Sequence, residues 1–136
     1  MVEIVASLFV LLFVYTAVSK WLDFDSFKAV ITQSPLIGSL PVVAWLLPVI
    51  ELLVAAILLY PCTRRTGLYA ALILMIVFTG YISYMLLFSS HLPCSCGGVI
   101  KYLSWRTHLL FNTIWIVMAV IAIKLDVSKG VSRKPL

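Results

Sequence analysis

The residues best suited to chemistry lie in one short stretch that reads Ser89-Ser90-His91-Leu92-Pro93-Cys94-Ser95-Cys96-Gly97-Gly98. A single residue separates Cys94 from Cys96, so a disulfide between them would close a small ring with distorted geometry. Strained, exposed disulfides are the reactive ones. A bridge across one residue also removes little entropy from the unfolded chain, so it would be a poor structural staple. The spacing therefore predicts a redox-active pair.

Two alternatives compete with redox chemistry at this loop. The first is two unpaired thiols or an inert local clip. The second is a metal site built from His91, Cys94, Cys96 and His108. The paired Cys-x-x-Cys spacing of zinc sites is absent, which favours redox chemistry over zinc. A soft ion such as Cu(I), held by thiolates, His91 and Met85, is the form of the metal hypothesis that stays open. Cys62, alone beside Pro61, predicts only an ordinary reduced thiol.

Ionisable and polar residues also interrupt the apolar runs. Glu51 falls near the middle of one run, where a carboxylate is costly unless a cation pairs with it. Trp105, His108 and Asn112 follow at spacings of three and four, which places them on one helical face. The remaining members of the set are Tyr15, Ser19, Lys20, Thr79, Tyr81, Ser83 and Tyr84. Their positions predict a polar pocket in the half of the molecule nearest the cysteines.

Structural explanations exist for each of these polar residues taken alone. Tyr84 and Trp105 are typical of the aromatic belt at a membrane surface. Thr79 and Asn112 could hydrogen-bond neighbouring helices. Lys20 could extend to the lipid headgroups, and Glu51 could bond Asn112 or His108. Their convergence beneath one pair of cysteines is what favours a functional pocket.

The elements that position these residues follow from composition. Of 136 residues, 63% are hydrophobic and 11% charged, and the mean hydropathy is +1.14. A water-soluble globule, with about 25% charged residues, is excluded. The length of the apolar runs and the lack of alternation predict helices rather than strands. We therefore predict one all-α membrane domain over residues 1–125, a four-transmembrane-helix bundle with spans at about 2–19, 40–60, 68–88 and 105–123.

The segments outside the spans carry two further predictions. The loop from Lys20 to Ser39 contains a helix start at Asp25-Ser26, with apolar residues at helical spacing. This indicates a short amphipathic helix at the membrane interface, or alternatively a capped connector. Residues 126–136 are charged and predict a disordered basic tail in the cytoplasm.

The net charge of +5 does not indicate nucleic-acid binding, because the charges lie at span ends and in loops. Six of the ten Lys and Arg residues fall in the loop after span two and in the tail, and four fall in the other two loops. By the positive-inside rule, both termini are cytoplasmic and the Cys94/Cys96 loop faces outward. Thiols can stay oxidised there.

Several motifs in order resemble the MauE branch of the DoxX-like membrane proteins. They are Ala17 to Phe24, Pro48 to Leu52, Arg64 to Leu68, Phe78 to Tyr81 and Cys94 to Gly98, followed by Trp105, His108 and Asn112. The resemblance implies a four-helix bundle associated with thioredoxin-like periplasmic proteins and with disulfide formation in exported proteins. It makes Cys94 and Cys96 the exchange pair, supported by Glu51, Lys20, His108 and Asn112. The family loop often has Gly and Phe where this chain has Ser95 and Gly97.

The resulting hypothesis is a thiol–disulfide redox component of the bacterial inner membrane. Cys94 and Cys96 exchange disulfides with a thioredoxin-like partner, and His91 or His108 adjusts the thiols or carries the proton. Because one pair on one face needs another electron carrier, we expect a quinone as cofactor, in a pocket formed by Tyr81, Tyr84, Trp105, His108 and Asn112. The rivals are a non-catalytic anchor or assembly factor for a periplasmic partner, and copper handling.

Overall fold

The structure, a computed structural model, describes residues 1–32, 39–88 and 105–132. These ranges contain only helices as regular secondary structure, which confirms the all-α prediction. Five helices follow one another along the chain: α1 (Val2–Leu22), α2 (Phe24–Thr32), α3 (Val43–Leu59), α4 (Arg64–Phe88) and α5 (Trp105–Ser132).

Three of these helices are long and apolar enough to cross a membrane: α1, α4 and most of α5. The fourth, α3, has 17 residues and is the most apolar of the set. Its length is about 26 Å, slightly less than the ~30 Å of a bilayer's hydrocarbon core. The chain is a multi-pass helical membrane protein, and the count of four spans stays a prediction.

The turn between α3 and α4 explains why α4 begins earlier than span three was expected to. The Thr63 hydroxyl donates to the Ile57 carbonyl at 2.8 Å, which satisfies an acceptor at the end of α3. The Thr63 carbonyl then accepts the Gly67 N–H at 2.9 Å. One residue therefore ends one helix and begins the next, so Arg64 is already helical.

The prediction of a disordered tail is wrong for residues 126–132, which continue α5. The Nε of Arg65 donates to Asp126 Oδ2 at 2.7 Å, and a second guanidinium nitrogen donates to the Asp126 carbonyl at 3.3 Å. This contact attaches the end of α5 to the start of α4. The segment also contains Lys129, and lysine is a good helix former.

Close helix packing builds the core. α1 packs mainly against α3, and α4 mainly against α5; α3 also contacts α4 and so connects the two pairs. Phe9, Phe13, Leu58 and Leu68 are the largest apolar side chains with essentially no exposure. Small residues let the backbones approach, and the buried alanines are Ala6, Ala17, Ala44, Ala55, Ala71, Ala119 and Ala122.

The predicted amphipathic helix in the first loop is present as α2, one residue ahead of the expected start. Asp23 links it to α1, and the Asp23 carbonyl accepts the Phe27 N–H at 3.1 Å. Phe27 and Ile31 are buried against Ala44 of α3. The apolar face of α2 is therefore turned toward the bundle, over the region where the polar side chains gather.

Candidate functional site

A buried ion pair joins α1 to α3. Lys20 Nζ lies 2.6 Å from Glu51 Oε1, and the two side chains are 9% and 1% exposed. Lys20 is therefore the cation that an intramembrane carboxylate requires, and it does not extend to the headgroups. The expected bond from Glu51 to Asn112 or His108 is replaced by this pair.

Two aromatic rings flank the ammonium group. Lys20 Nζ lies 5.8 Å from the centroid of Phe27 in α2 and 5.7 Å from that of Phe78 in α4. Ring faces attract a cation at this range, most strongly where water is excluded. The charge is thus held by contacts from three further helices besides its own.

A cavity of about 250 Å³ lies beside the ion pair. All five helices contribute to its wall. The polar lining residues are Thr16, Lys20, Glu51, Tyr81, His108 and Asn112, and the other eleven are apolar, among them Phe27, Phe78 and Phe111. An apolar cavity with a few convergent polar groups is the usual form of a small-molecule site.

Two polar atoms in the wall have no hydrogen-bond partner within the described residues: Glu51 Oε2 and Asn112 Nδ2. The Thr16 side chain is close enough to interact with the Glu51 carboxylate as a hydrogen-bonding neighbour, but the bond that its hydroxyl makes with good geometry is to the Phe13 carbonyl, at 3.2 Å. Buried polar groups without partners are rare and costly. The cavity therefore offers one acceptor and one donor to whatever occupies it.

The helical face predicted on α5 is confirmed where the structure describes its side chains. His108 and Asn112 are both buried and both line the cavity, one turn apart. His108 also lies within electrostatic reach of Lys20. Trp105 begins α5, and its side chain is outside the described set.

Not every residue of the predicted pocket lines this cavity. Tyr81 does, whereas Tyr84 packs its ring against Phe88 with centroids 5.0 Å apart. Thr79 donates to the Met75 carbonyl of its own helix at 2.7 Å. The structure thus brings together Lys20, Glu51, Tyr81, His108 and Asn112, and leaves Tyr84 and Thr79 outside that wall.

The predicted exchange residues Cys94 and Cys96, with His91, lie outside the described residues, and their roles stay predictions. Helices α4 and α5, which precede and follow that stretch of chain, both contribute residues to the cavity. Cys62 is an exposed free thiol at the turn between α3 and α4. Within the described ranges, no three His, Cys, Asp or Glu side chains group closely enough to hold a metal.

Sequence reasoning missed three contributors to the site: Thr16, Phe27 and Phe78. Thr16 was detectable, because it precedes Lys20 by one helical turn and so shares its face. The two aromatic residues carried no distinguishing signal, since their spacing is equally typical of a core face. The position of Glu51 deep within an apolar run indicated that it needs a cation, but the sequence did not identify Lys20 as that cation.

Comparison with protein families supplies a match over nearly the whole chain. Residues 1–125 match the family described as "Methylamine utilisation protein MauE". No curated protein and no solved structure gives a significant match. Because the match covers residues 1–125 of the 136 in the chain, the chain belongs to the MauE family.

Proposed function

We propose that this chain is a thiol–disulfide exchange component of the bacterial inner membrane, acting in the process named in its family's description, methylamine utilisation. Cys94 and Cys96 form the exchange pair on the periplasmic side, and a thioredoxin-like protein is the partner. The observation that carries the proposal is the Cys-x-Cys sequence between two helices that both line an ion-paired cavity.

The exchange balances without a further reactant. A partner thiolate attacks one sulfur of the Cys94–Cys96 disulfide, which forms a mixed disulfide and frees the other cysteine as a thiolate. The partner's second thiol then attacks the mixed disulfide. The partner leaves oxidised, and its two protons and two electrons stay on Cys94 and Cys96. The reverse sequence of steps would reduce the partner.

Histidine supplies the proton transfer in this proposal. His108 begins the buried face of α5 only three residues after the helix starts, and a neutral imidazole can accept a proton at one ring nitrogen and donate one from the other. His91 precedes the cysteines by three residues and is the second candidate. Glu51 and Lys20 fix the charge distribution next to His108.

Trapping of a mixed disulfide tests the exchange. Two variants, each retaining either Cys94 or Cys96 as a thiol, would be mixed in membranes with a single-cysteine thioredoxin-like partner whose thiol has been activated as a mixed disulfide with thionitrobenzoate, the leaving group of the exchange. Both carry Cys62→Ser, which removes the exposed thiol between α3 and α4. We expect a reductant-sensitive adduct with one variant only, which identifies the attacked sulfur. No adduct with either variant, together with unchanged partner oxidation, would instead support the non-catalytic anchor.

Labelling with a membrane-impermeant thiol reagent tests the orientation. In intact spheroplasts we expect Cys94 and Cys96 to react, and Cys62 to react only after the membrane is opened. Labelling of Cys62 alone from outside would overturn the assignment of the pair to the periplasmic face.

A further inference from the structure

We infer that the cavity beside the Lys20–Glu51 pair binds the ring of a membrane quinone, with Asn112 donating to a carbonyl oxygen of the oxidised ring and Glu51 accepting from a hydroxyl group of the reduced ring. This inference rests on the proposed function, because disulfide exchange leaves two electrons on Cys94 and Cys96 that need an acceptor. The site itself consists only of residues whose positions the structure describes.

The size and lining of the cavity suit a single flat ring. Pockets for drug-sized ligands occupy about 300–1,000 Å³, and this one encloses about 250 Å³. It can hold a headgroup but not a long chain, so the tail of a quinone would have to leave it toward lipid. Phe27, Phe78 and Phe111 provide aromatic surface for a ring.

The two unpartnered atoms match the two redox states of such a ring. The Asn112 Nδ2 donor can bond a carbonyl oxygen of the oxidised form. The Glu51 Oε2 acceptor can bond a hydroxyl group of the reduced form. Either state therefore satisfies an atom that the described protein leaves unpaired, which lowers the cost of burying it.

The ion pair keeps that acceptor in place. Lys20 binds Oε1 of Glu51 at 2.6 Å and leaves Oε2 without a protein partner. The ammonium is itself fixed between the rings of Phe27 and Phe78. A carboxylate held in this way is positioned before a ligand arrives, which reduces the entropy lost on binding.

The redox balance is complete with this acceptor. Oxidation of the Cys94/Cys96 dithiol to the disulfide releases two electrons and two protons. Reduction of a quinone to the hydroquinone takes up two electrons and two protons. His108, on the same wall as Asn112, is the group available to pass a proton between the two sites.

Binding can be tested apart from thiol chemistry. The Cys94→Ser/Cys96→Ser double variant, purified in lipid nanodiscs, would be titrated with decylubiquinone, and an azido-quinone would be photo-crosslinked and mapped by mass spectrometry. Decylbenzene, which has the same tail but no ring oxygens, is the ligand control. We expect saturable quinone binding, crosslinks to cavity residues, and much weaker binding of decylbenzene.

Variants separate hydrogen bonding from general damage. Asn112→Leu keeps the volume but removes the donor, and we expect roughly tenfold weaker quinone binding. The double variant Lys20→Met/Glu51→Leu removes the acceptor, and we expect it to weaken binding of the reduced ligand, decylubiquinol, by a similar factor. Thr113→Val is the matched control, because Thr113 adjoins Asn112 but is exposed and donates to the Leu109 carbonyl of its own helix. It should bind quinone as the parent does.

The outcomes distinguish this inference from the proposed function. Equal binding of decylbenzene and quinone, or crosslinks confined to lipid-facing residues, would overturn the quinone site. A cavity that holds only water would give no saturable binding and would overturn it as well. If quinone does not bind but the mixed disulfide forms, the exchange function stands and the electron carrier is another. If quinone binds but no mixed disulfide forms, the site stands and the exchange function fails.

Discussion

Two ion pairs of nearly equal length stand at opposite ends of the bundle. Lys20 and Glu51 lie 2.6 Å apart with both side chains buried, whereas Arg65 and Asp126 lie 2.7 Å apart with side chains 50% and 29% exposed. Exposed pairs contribute about 0–1 kcal/mol. In a buried pair, the loss of hydration offsets much or all of the attraction. Separation alone therefore does not measure what a pair contributes.

The packing of the helices also differs: it is tight around the exposed pair and looser around the buried pair. Near Arg65, the helices approach so closely that a Cβ on Gly67 would lie 2.9 Å from the Leu58 side chain. Near Lys20, the helices enclose a cavity. One end of the bundle has the features of a structural clamp. The other end keeps two buried charges next to a cavity, an arrangement that does not maximise stability.

The largest expected effect comes from breaking the buried pair. Glu51→Leu leaves the Lys20 ammonium buried without a counter-charge, and loss of one partner typically costs about 3–5 kcal/mol. Reversible unfolding in mixed micelles would measure the loss. The double variant Lys20→Met/Glu51→Leu should recover most of the stability. A single variant as stable as the parent would show that the pair is not buried as described.

An intermediate effect is expected from tightening the close contact between α3 and α4. Gly67→Ala forces a methyl group against Leu58, and overpacking of this kind costs about 1–3 kcal/mol. Gly80→Ala in the same helix is the matched control, since no atom of the described residues, apart from Gly80's own chain neighbours and helix backbone, lies within 4 Å of a Cβ there. It should be neutral or gain about 0.5–1 kcal/mol from helix propensity. Equal destabilisation by both substitutions would contradict the tight packing at Gly67.

The smallest effect is expected at the exposed pair. Arg65→Ala should cost at most about 1 kcal/mol, and high salt should reduce the difference because it screens exposed charges. The same unfolding assay at low and high salt would measure it. A loss of several kcal/mol that salt does not change would place this pair in the same class as Lys20–Glu51, and the contrast between the two ends would disappear.

Much of the helical framework was predictable from the sequence, because uninterrupted apolar runs permit few structures in lipid. The shared face of His108 and Asn112 followed from helical spacing. Partners far apart in the sequence did not follow. Lys20 is 31 residues from Glu51, and nothing in either local pattern fixes that register. The continuation of α5 beyond residue 125 was not predicted for the same reason, because the residue that holds Asp126 in place is Arg65, 61 residues earlier in the chain.

The junction between α1 and α2 links two parts of the site mechanically. A single residue, Asp23, separates the two helices; its N–H donates to the Ser19 carbonyl at 3.2 Å, and its carbonyl accepts from Phe27. The connection is therefore as short as one residue, and it leaves little freedom between the two helices. Helix α1 carries the Lys20 ammonium and α2 carries the Phe27 ring next to it, so the position of one helix constrains the position of the other. A movement of α2 away from the bundle would therefore displace Lys20 as well.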